Sequence, residues 1–412
     1  MTGVSAEAFR NEIQAKSPQS ATFATDVVDL LVRAAVGVRA SDVHLQPTAD
    51  GFEVRWRIDG VLQPVAVLPA SVAPKVVARL KVLAELLTYK TEIPQEGRIR
   101  NGAADAEMRL STFPTIFGEK AVLRFFAASG HLQRLDALGL PLEIQEGLRR
   151  LLGATSGAIL FSGPAGSGKT TTIYACLREL VVTTGGRRSL ATLEDPVEVP
   201  VAGVAQSQVN PGVGFSLEVG LRSLLRQDPE VIAVGEIRDR ETAEVAFQAS
   251  LTGHLVLSTY HAASAAAVVG RLSDMGIEPY LLRSGLLAVI GQRLVRKLCE
   301  CARPGDDPKG RFGLNADRFQ VPVGCELCDR TGYRGRLVLA EMLVPEPTEL
   351  GRAILSRSDV SRLEALAIES GMVSLWQRAR IAVEEGLTSP AEVTRVLGLP
   401  PKQIVDESSR EG

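Results

Sequence analysis

The string Gly163-Pro164-Ala165-Gly166-Ser167-Gly168-Lys169-Thr170 constrains this chain more than any other. An aliphatic run at residues 158–161 leads into it, and a helical pattern at residues 171–182 leaves it. A Gly-x4-Gly-Lys-Thr loop between a buried strand and a helix turns backbone N–H groups inward at the positive end of the helix dipole, which makes a cradle for phosphate. In such a cradle Lys169 reaches the β- and γ-phosphates, Thr170 offers its hydroxyl to Mg²⁺, and Thr171 completes the nucleotide-binding set. A glycine-rich turn with a chance match would not bring spacing, strand and helix together.

A bound triphosphate also needs carboxylates beyond its metal, and two later strands end in them. Leu190-Ala191-Thr192-Leu193 runs into Glu194-Asp195-Pro196-Val197-Glu198, and Val231-Ile232-Ala233-Val234 runs into Gly235-Glu236-Ile237-Arg238-Asp239. These runs, with Leu255-Val256-Leu257-Ser258, alternate with amphipathic helical stretches, the pattern of a parallel sheet covered on both faces. Ligands of open α/β sheets lie beyond the carboxyl ends of the strands, so Glu194 and Glu236 are expected to face the phosphates. One would hold Mg²⁺ through water and the other would orient the attacking water; the sequence leaves open which does which. Glu198 and Asp239 serve equally well as helix caps. His254 and His261, two of four histidines, bracket the strand 255–258. A spacing of seven does not put both on one metal. A hydrogen bond to the γ-phosphate or to a catalytic glutamate fits, with a satisfied structural histidine as the alternative.

The 412 residues are 45% hydrophobic and 23% charged, an ordinary globular balance with room for two or three domains. A net charge of −2 gives no basic field for a polyanion, so direct nucleic-acid binding is not expected. The first residues lack the apolar core of a signal peptide, and no apolar run approaches the roughly 18 residues of a membrane span. The chain is therefore expected in the cytoplasm, reaching a membrane only through partners. Residues 1–40 carry a helical pattern. Alternating patterns at 43–45, 52–58, 107–110 and 122–125, with a helical stretch at 76–87, place a small α+β domain at residues 41–127. A linker is expected at 128–140, the ATPase core at 141–295, a cysteine module at 296–340 and a helical region at 341–412. Four of five cysteines fall in that module, which suits a metal site in a reducing compartment better than disulfides. Cys325-Glu326-Leu327-Cys328 has the spacing of half a tetrahedral thiolate site, whereas Cys299-Glu300-Cys301 has one residue between its sulfurs.

Further strings match a known family in order: Ser41-Asp42-Val43-His44-Leu45-Gln46-Pro47 and Pro94-Gln95-Glu96-Gly97-Arg98, then the phosphate loop. An aspartate box at 193–198, a Walker B segment at 235–243, a histidine box at 252–259 and Gly332-Tyr333-Arg334-Gly335-Arg336 follow. On these residues the chain resembles the secretion ATPase superfamily of type II secretion and type IV pilus assembly, over nearly its whole length. The resemblance implies an α/β fold: a RecA-like P-loop domain preceded by a small α+β, PAS-like domain. It implies a homohexamer driving pilin or pseudopilin assembly through an inner-membrane platform protein, with the motor cytoplasmic and peripheral to that membrane. Arg98, Arg109 and Arg124 of the first domain, and Arg222 and Arg226, match arginines that neutralise transition-state charge within or between subunits. Arg109 and Arg124 lie in strand patterns where an unpaired charge is costly, so partners are expected for them.

The resemblance also implies a four-cysteine Zn²⁺ module in assembly-type members. The short first pair departs from the family's two-residue spacing and leaves zinc and reduced thiols both open. Tyr260 and Ala262 depart from the family's leucine and threonine, which favours His254 over His261 as the functional histidine. About 40 residues precede the first domain, too few for the extra N-terminal domain of long members. A pilus retraction motor is the nearest rival, disfavoured by the cysteine module; a RecA-like DNA translocase is a more distant one, disfavoured by the acidic pI of about 6.2.

Overall fold

The computed structural model describes residues 6–99, 107–126, 134–345 and 348–399. The chain divides into two compact units, residues 1–129 and 130–412. The first holds α1 (Ala6–Gln14), α2 (Phe23–Gly37), β1 (Asp42–Pro47), β2 (Phe52–Ile58), β3 (Val61–Leu68), α3 (Ala73–Leu83), β4 (Gln95–Ile99), β5 (Glu107–Thr115) and β6 (Gly118–Phe126). Its six strands form one antiparallel sheet in the order β3-β2-β1-β6-β5-β4. Alternation decides its faces: Phe52, Val54 and Trp56 of β2 are buried, while Glu53, Arg55 and Arg57 between and after them are only partly so. The helices cover the apolar face, so that Phe9, Leu31 and Leu80 join Trp56 and Leu110 in one core. The rings of Phe9 and Trp56 meet at 5.3 Å. The helical segment expected at residues 1–40 is thus not separate from the α+β domain; its apolar stripes complete that domain's core. Strand β3 went unpredicted because Pro64 breaks its pattern, and at the sheet edge the missing N–H is tolerated.

The second unit continues with α4 (Leu142–Leu152), β7 (Gly157–Ser162), α5 (Lys169–Thr184), β8 (Leu190–Glu194), β9 (Ala205–Gln208), α6 (Leu217–Leu224), β10 (Val231–Val234), α7 (Arg240–Leu251) and β11 (Leu255–Tyr260). Then come α8 (Ala265–Asp274), α9 (Pro279–Gly285), β12 (Leu286–Leu298), β13 (Arg303–Pro304), β14 (Gln320–Val321), β15 (Tyr333–Leu343) and helices α10 (Glu349–Leu355), α11 (Val360–Glu369), α12 (Leu375–Glu384) and α13 (Pro390–Leu397). A seven-stranded sheet runs β15-β12-β7-β11-β10-β8-β9, parallel except for the antiparallel edge strand β15. Strands β7, β8, β10 and β11 are buried along their whole length. One face packs on α4 and α5, the other on α7, α8 and α9, which is the covered parallel sheet that the aliphatic runs called for.

Two expected boundaries move. The core sheet does not end at 295: β12 and β15 pair from Val289 with Leu343 to Leu298 with Tyr333, so the cysteine module is an excursion between neighbouring strands. Glu341 and Leu343, expected in the helical region, are strand residues for the same reason. The linker expected at 128–140 lies partly outside the described residues; in its described part a 3₁₀ turn, Leu135–Leu138, seats Leu135 in the core with α5.

Candidate active site

The phosphate loop leaves the carboxyl end of β7 and closes at α5. Ladder pairs Ser162 with Tyr260, Leu160 with Ser258, and Val234 with both Ser258 and Leu193 set the ends of four strands level. Residues at or just beyond those ends, Gly163, Glu194, Glu236 and His261, therefore share one edge of the sheet. Gly163 has φ +153°, and a Cβ there would lie 2.5 Å from both Gln292 O and Ser167 Oγ, so only glycine fits. Lys169 folds its ammonium onto its own loop, donating to Gly163 O at 2.7 Å and Pro164 O at 2.9 Å. Burial lowers its pKa, and the charge of Glu236 opposes the shift. The Ser167 hydroxyl is buried with no hydrogen-bond partner among the described residues. A cradle with an orphaned donor and a cation resting on replaceable carbonyls fits an incoming phosphate. Thr170 and Thr171 follow in the first turn of α5, half-buried.

Glu194 is buried and held by three donors. The Tyr174 hydroxyl donates to Oε2, Thr192 Oγ1 to Oε1 at 2.5 Å and Gln206 Nε2 to Oε1 at 3.1 Å. Burial, then the bond to Glu194, pushes the Tyr174 phenol well above its ordinary pKa, so it stays a donor. Glu236 is more open. Arg238 Nη2 lies 3.1 Å from its Oε2 and His261 Nε2 3.2 Å from its Oε1. Asp239 caps α7, accepting from Thr242 N at 2.7 Å.

The histidine expectation is reversed. His254 stands at the opposite end of β11, where its O accepts from Gly157 N and its Nδ1 lies 3.1 Å from Ala249 O. The six residues of β11 separate it from His261, about 23 Å along the strand. His254 is a satisfied structural histidine, and His261 is the one brought to a carboxylate.

In the first unit the three candidate arginines stand in register. Arg98 pairs with Arg109, Arg109 with Arg124, Arg124 with Asp42, and Asp42 with Arg57. Directly opposed residues share a face, so this is one row across five strands, with Arg57 a member that sequence reasoning missed. The expected partners are present: Glu107 for Arg98 at 3.4 Å, Glu96 for Arg109, and buried Asp42 for Arg124 at 2.9 Å and Arg57 at 3.4 Å. In the second unit Arg222 and Arg226 are exposed on and just after α6, Arg222 beside Glu218 at 3.1 Å and Arg226 donating to Arg222 O at 2.9 Å.

Sulfurs of Cys299, Cys301, Cys325 and Cys328 lie within 4.8 Å of one another. Separations of 3.8 Å for Cys299–Cys325 and Cys325–Cys328 and 3.9 Å for Cys301–Cys328 match the roughly 3.8 Å expected of four sulfurs around one zinc. Burial alone would raise the Cys328 pKa, but N–H groups of Cys325 and Gly332 outweigh it and leave the thiol at about 7. The donor set fits a thiolate-bound metal despite the short first pair. Cys176 is buried and its thiol is pushed far up by desolvation, as a small core hydrophobe. No helix of the described residues is long and apolar enough to cross a membrane.

The family described as "Type II/IV secretion system protein" matches residues 18–395. Type IV pilus assembly ATPase PilB of Thermus thermophilus is 37% identical over 377 residues, 89% of this chain and 42% of that protein. Type II secretion system ATPase E of Vibrio cholerae is 40% identical over 379 residues, 90% of this chain and 74% of that protein. This chain thus spans less than half of the first relative and about three-quarters of the second. Among solved structures, the pilus retraction motor PilT with bound ADP superposes with a TM-score of 0.60 at 25% identity, covering 90% of this chain and 96% of that one. The ATPase DotB of Legionella pneumophila shares the fold at a TM-score of 0.66 and 22% identity, covering 89% and 94%. With its phosphate loop intact and these likenesses spanning both units, the chain belongs to the type II/IV secretion system protein family and stands among its ATPases.

Proposed function

We propose that this chain is a Mg²⁺-dependent ATP hydrolase working as a homohexameric motor, which turns hydrolysis into assembly of pilin or pseudopilin filaments in a type II secretion or type IV pilus system. The observation that carries the reading is the single sheet edge shared by the phosphate loop, Glu194, Glu236 and His261. Residues 163–171 bind ATP through backbone N–H groups, Lys169 and the Thr170 hydroxyl. A bound Mg²⁺ would supply charge neutralisation between the phosphates, held by Thr170 and, through water, by the carboxylate edge. Glu194 and Glu236 divide the tasks of holding the metal's water and orienting the attacking water, and His261 steadies Glu236. Arg98, Arg109 and Arg124 of the first unit and Arg222 and Arg226 of the second neutralise charge in the transition state, an effect worth about 10³ to 10⁵ in P-loop enzymes. The four cysteines bind one structural Zn²⁺. The motor lies in the cytoplasm, peripheral to the inner membrane through a platform protein, with no direct contact to nucleic acid.

Steady-state ATPase and nucleotide-binding assays on the full chain test this. Glu194→Gln, Glu236→Gln and Arg226→Ala should each cut turnover at least about tenfold while nucleotide still binds. The carboxylate variant that raises the Mg²⁺ needed for half-maximal rate marks the metal side. Unchanged turnover in both carboxylate variants would sink the site, and unchanged turnover in Arg226→Ala would remove that arginine from it.

A further inference from the structure

Residues 261–265 lead from β11 into the first residue of α8 and begin with His261, the partner of Glu236. Two buried charged side chains, neither predicted from the sequence, hold this segment. Arg293 of β12, 7% exposed, donates from Nη2 to Ala263 O at 2.5 Å and Ala262 O at 3.3 Å, and from Nη1 to Gln292 O at 2.8 Å. Glu341 of β15, 1% exposed, accepts from Ala265 N at 2.7 Å through Oε1 and from Leu375 N at 2.9 Å through Oε2. Ala265 and Leu375 are the first residues of α8 and α12, so one carboxylate satisfies free N–H groups at two helix starts. Gly291, paired with Glu341, makes room: a Cβ there would stand 2.8 Å from Oε1. Arg293 also rests against the phosphate loop, since a Cβ on Gly163 would lie 3.0 Å from its Nη1. A cavity of about 670 Å³ opens beside the clamp, with Pro164, His261, Arg293 and Glu341 in its wall.

Burying two charges to tie down a short connection is costly, and an apolar contact would anchor a loop that needed only anchoring. What the charges add is direction. Arg293 fixes the carbonyls after His261, Glu341 fixes the amide that ends the segment, and the register of β12 with β7 sets both beside the phosphate loop. We propose that Arg293 and Glu341 are positioning residues for ATP hydrolysis, which fix the 261–265 segment so that the His261 imidazole stays on Glu236 and level with the phosphate loop. This rests on reading Glu236 as part of the hydrolytic site.

The test is a double-mutant cycle on the full chain, with kcat from steady-state turnover and ATP affinity from direct binding. Arg293→Met should lower kcat about tenfold or more with ATP affinity within about threefold, and Arg293→Lys should recover part of the loss. His261→Ala should lower kcat as well. The double variant should be no slower than His261→Ala alone, because a clamp without its imidazole has nothing left to position. Losses that multiply in the double variant, or an Arg293→Met kcat within about twofold of the parent, overturn the proposal. If Arg293→Met shows no cooperative melting, Glu341→Gln replaces it under the same criteria: the amide keeps the volume but accepts only one of the two N–H groups. Glu236→Gln separates the two readings. Full turnover in that variant brings down both, whereas an inactive Glu236→Gln beside an unaffected Arg293→Met brings down only the clamp.

Discussion

The carboxylate of Glu392 is fully buried, with Arg296 at 2.7 Å and Arg395 at 2.6 Å. Arg296 also gives it a backbone N–H at 2.9 Å and lies 3.9 Å above the ring of Tyr333, whose hydroxyl meets Ser389 Oγ at 2.6 Å. Removing one partner from such a cluster strands the remaining charges, so Glu392→Ala is expected to cost about 3–5 kcal/mol in chemical denaturation. Burial alone would raise the Glu392 pKa, but the hydrogen bonds from Arg395 and Arg296 outweigh it and leave it lowered. Its contribution to stability is therefore complete above the ordinary value of 4.5 and is lost as pH falls through the lower folded value. A pH–stability profile in which Glu392→Ala matches the parent at neutral pH would contradict this. At this scale the phosphate loop and both strand-end carboxylates were legible, because their chemistry fixes their spacing. The choice between His254 and His261 was misjudged: the carboxyl-end rule that placed Glu194 and Glu236 also favours His261, but the family's neighbouring residues pointed to His254.

Among elements, the four central strands were readable to within about two residues, since a doubly covered parallel strand is a continuous aliphatic run. Strand β12 was missed where Gln292 and Arg293 interrupt such a run. Strand β9, Ala205–Gln208, has no apolar face to read. The cysteine module hangs from β12 and β15, and a Cys-x-Cys pair gives no sequence-level assurance that four sulfurs converge. Their convergence leads to a definite expectation: elemental analysis of purified protein should find about one zinc per chain. Cys325→Ser should lose the metal and lower the melting temperature, and a metal-free parent with normal stability would show the sulfurs to be reduced thiols.

For the whole molecule, the order of motifs carried more information than any one of them, and that order made the family legible while leaving unit boundaries to packing. Residues 1–40 offered nothing but amphipathic stripes, and only Trp56 and Leu110 show what those stripes cover. If the first unit's arginines serve a neighbouring subunit's nucleotide, Lys169→Ala and Arg124→Ala chains should each be nearly inactive alone. Mixing them before assembly should restore measurable turnover; no recovery would place the arginines on their own chain's nucleotide. The row of Arg98, Arg109, Arg124 and Arg57 carries a further consequence. Like charges directly opposed about 5 Å apart repel, as Arg98 faces Arg109 and Arg109 faces Arg124. At 0.1 M salt the screening length is about 10 Å, long enough for these neighbours to feel one another. Rising ionic strength should thus ease the repulsion along this face and loosen its ion pairs together, while its grip on any polyanion slackens.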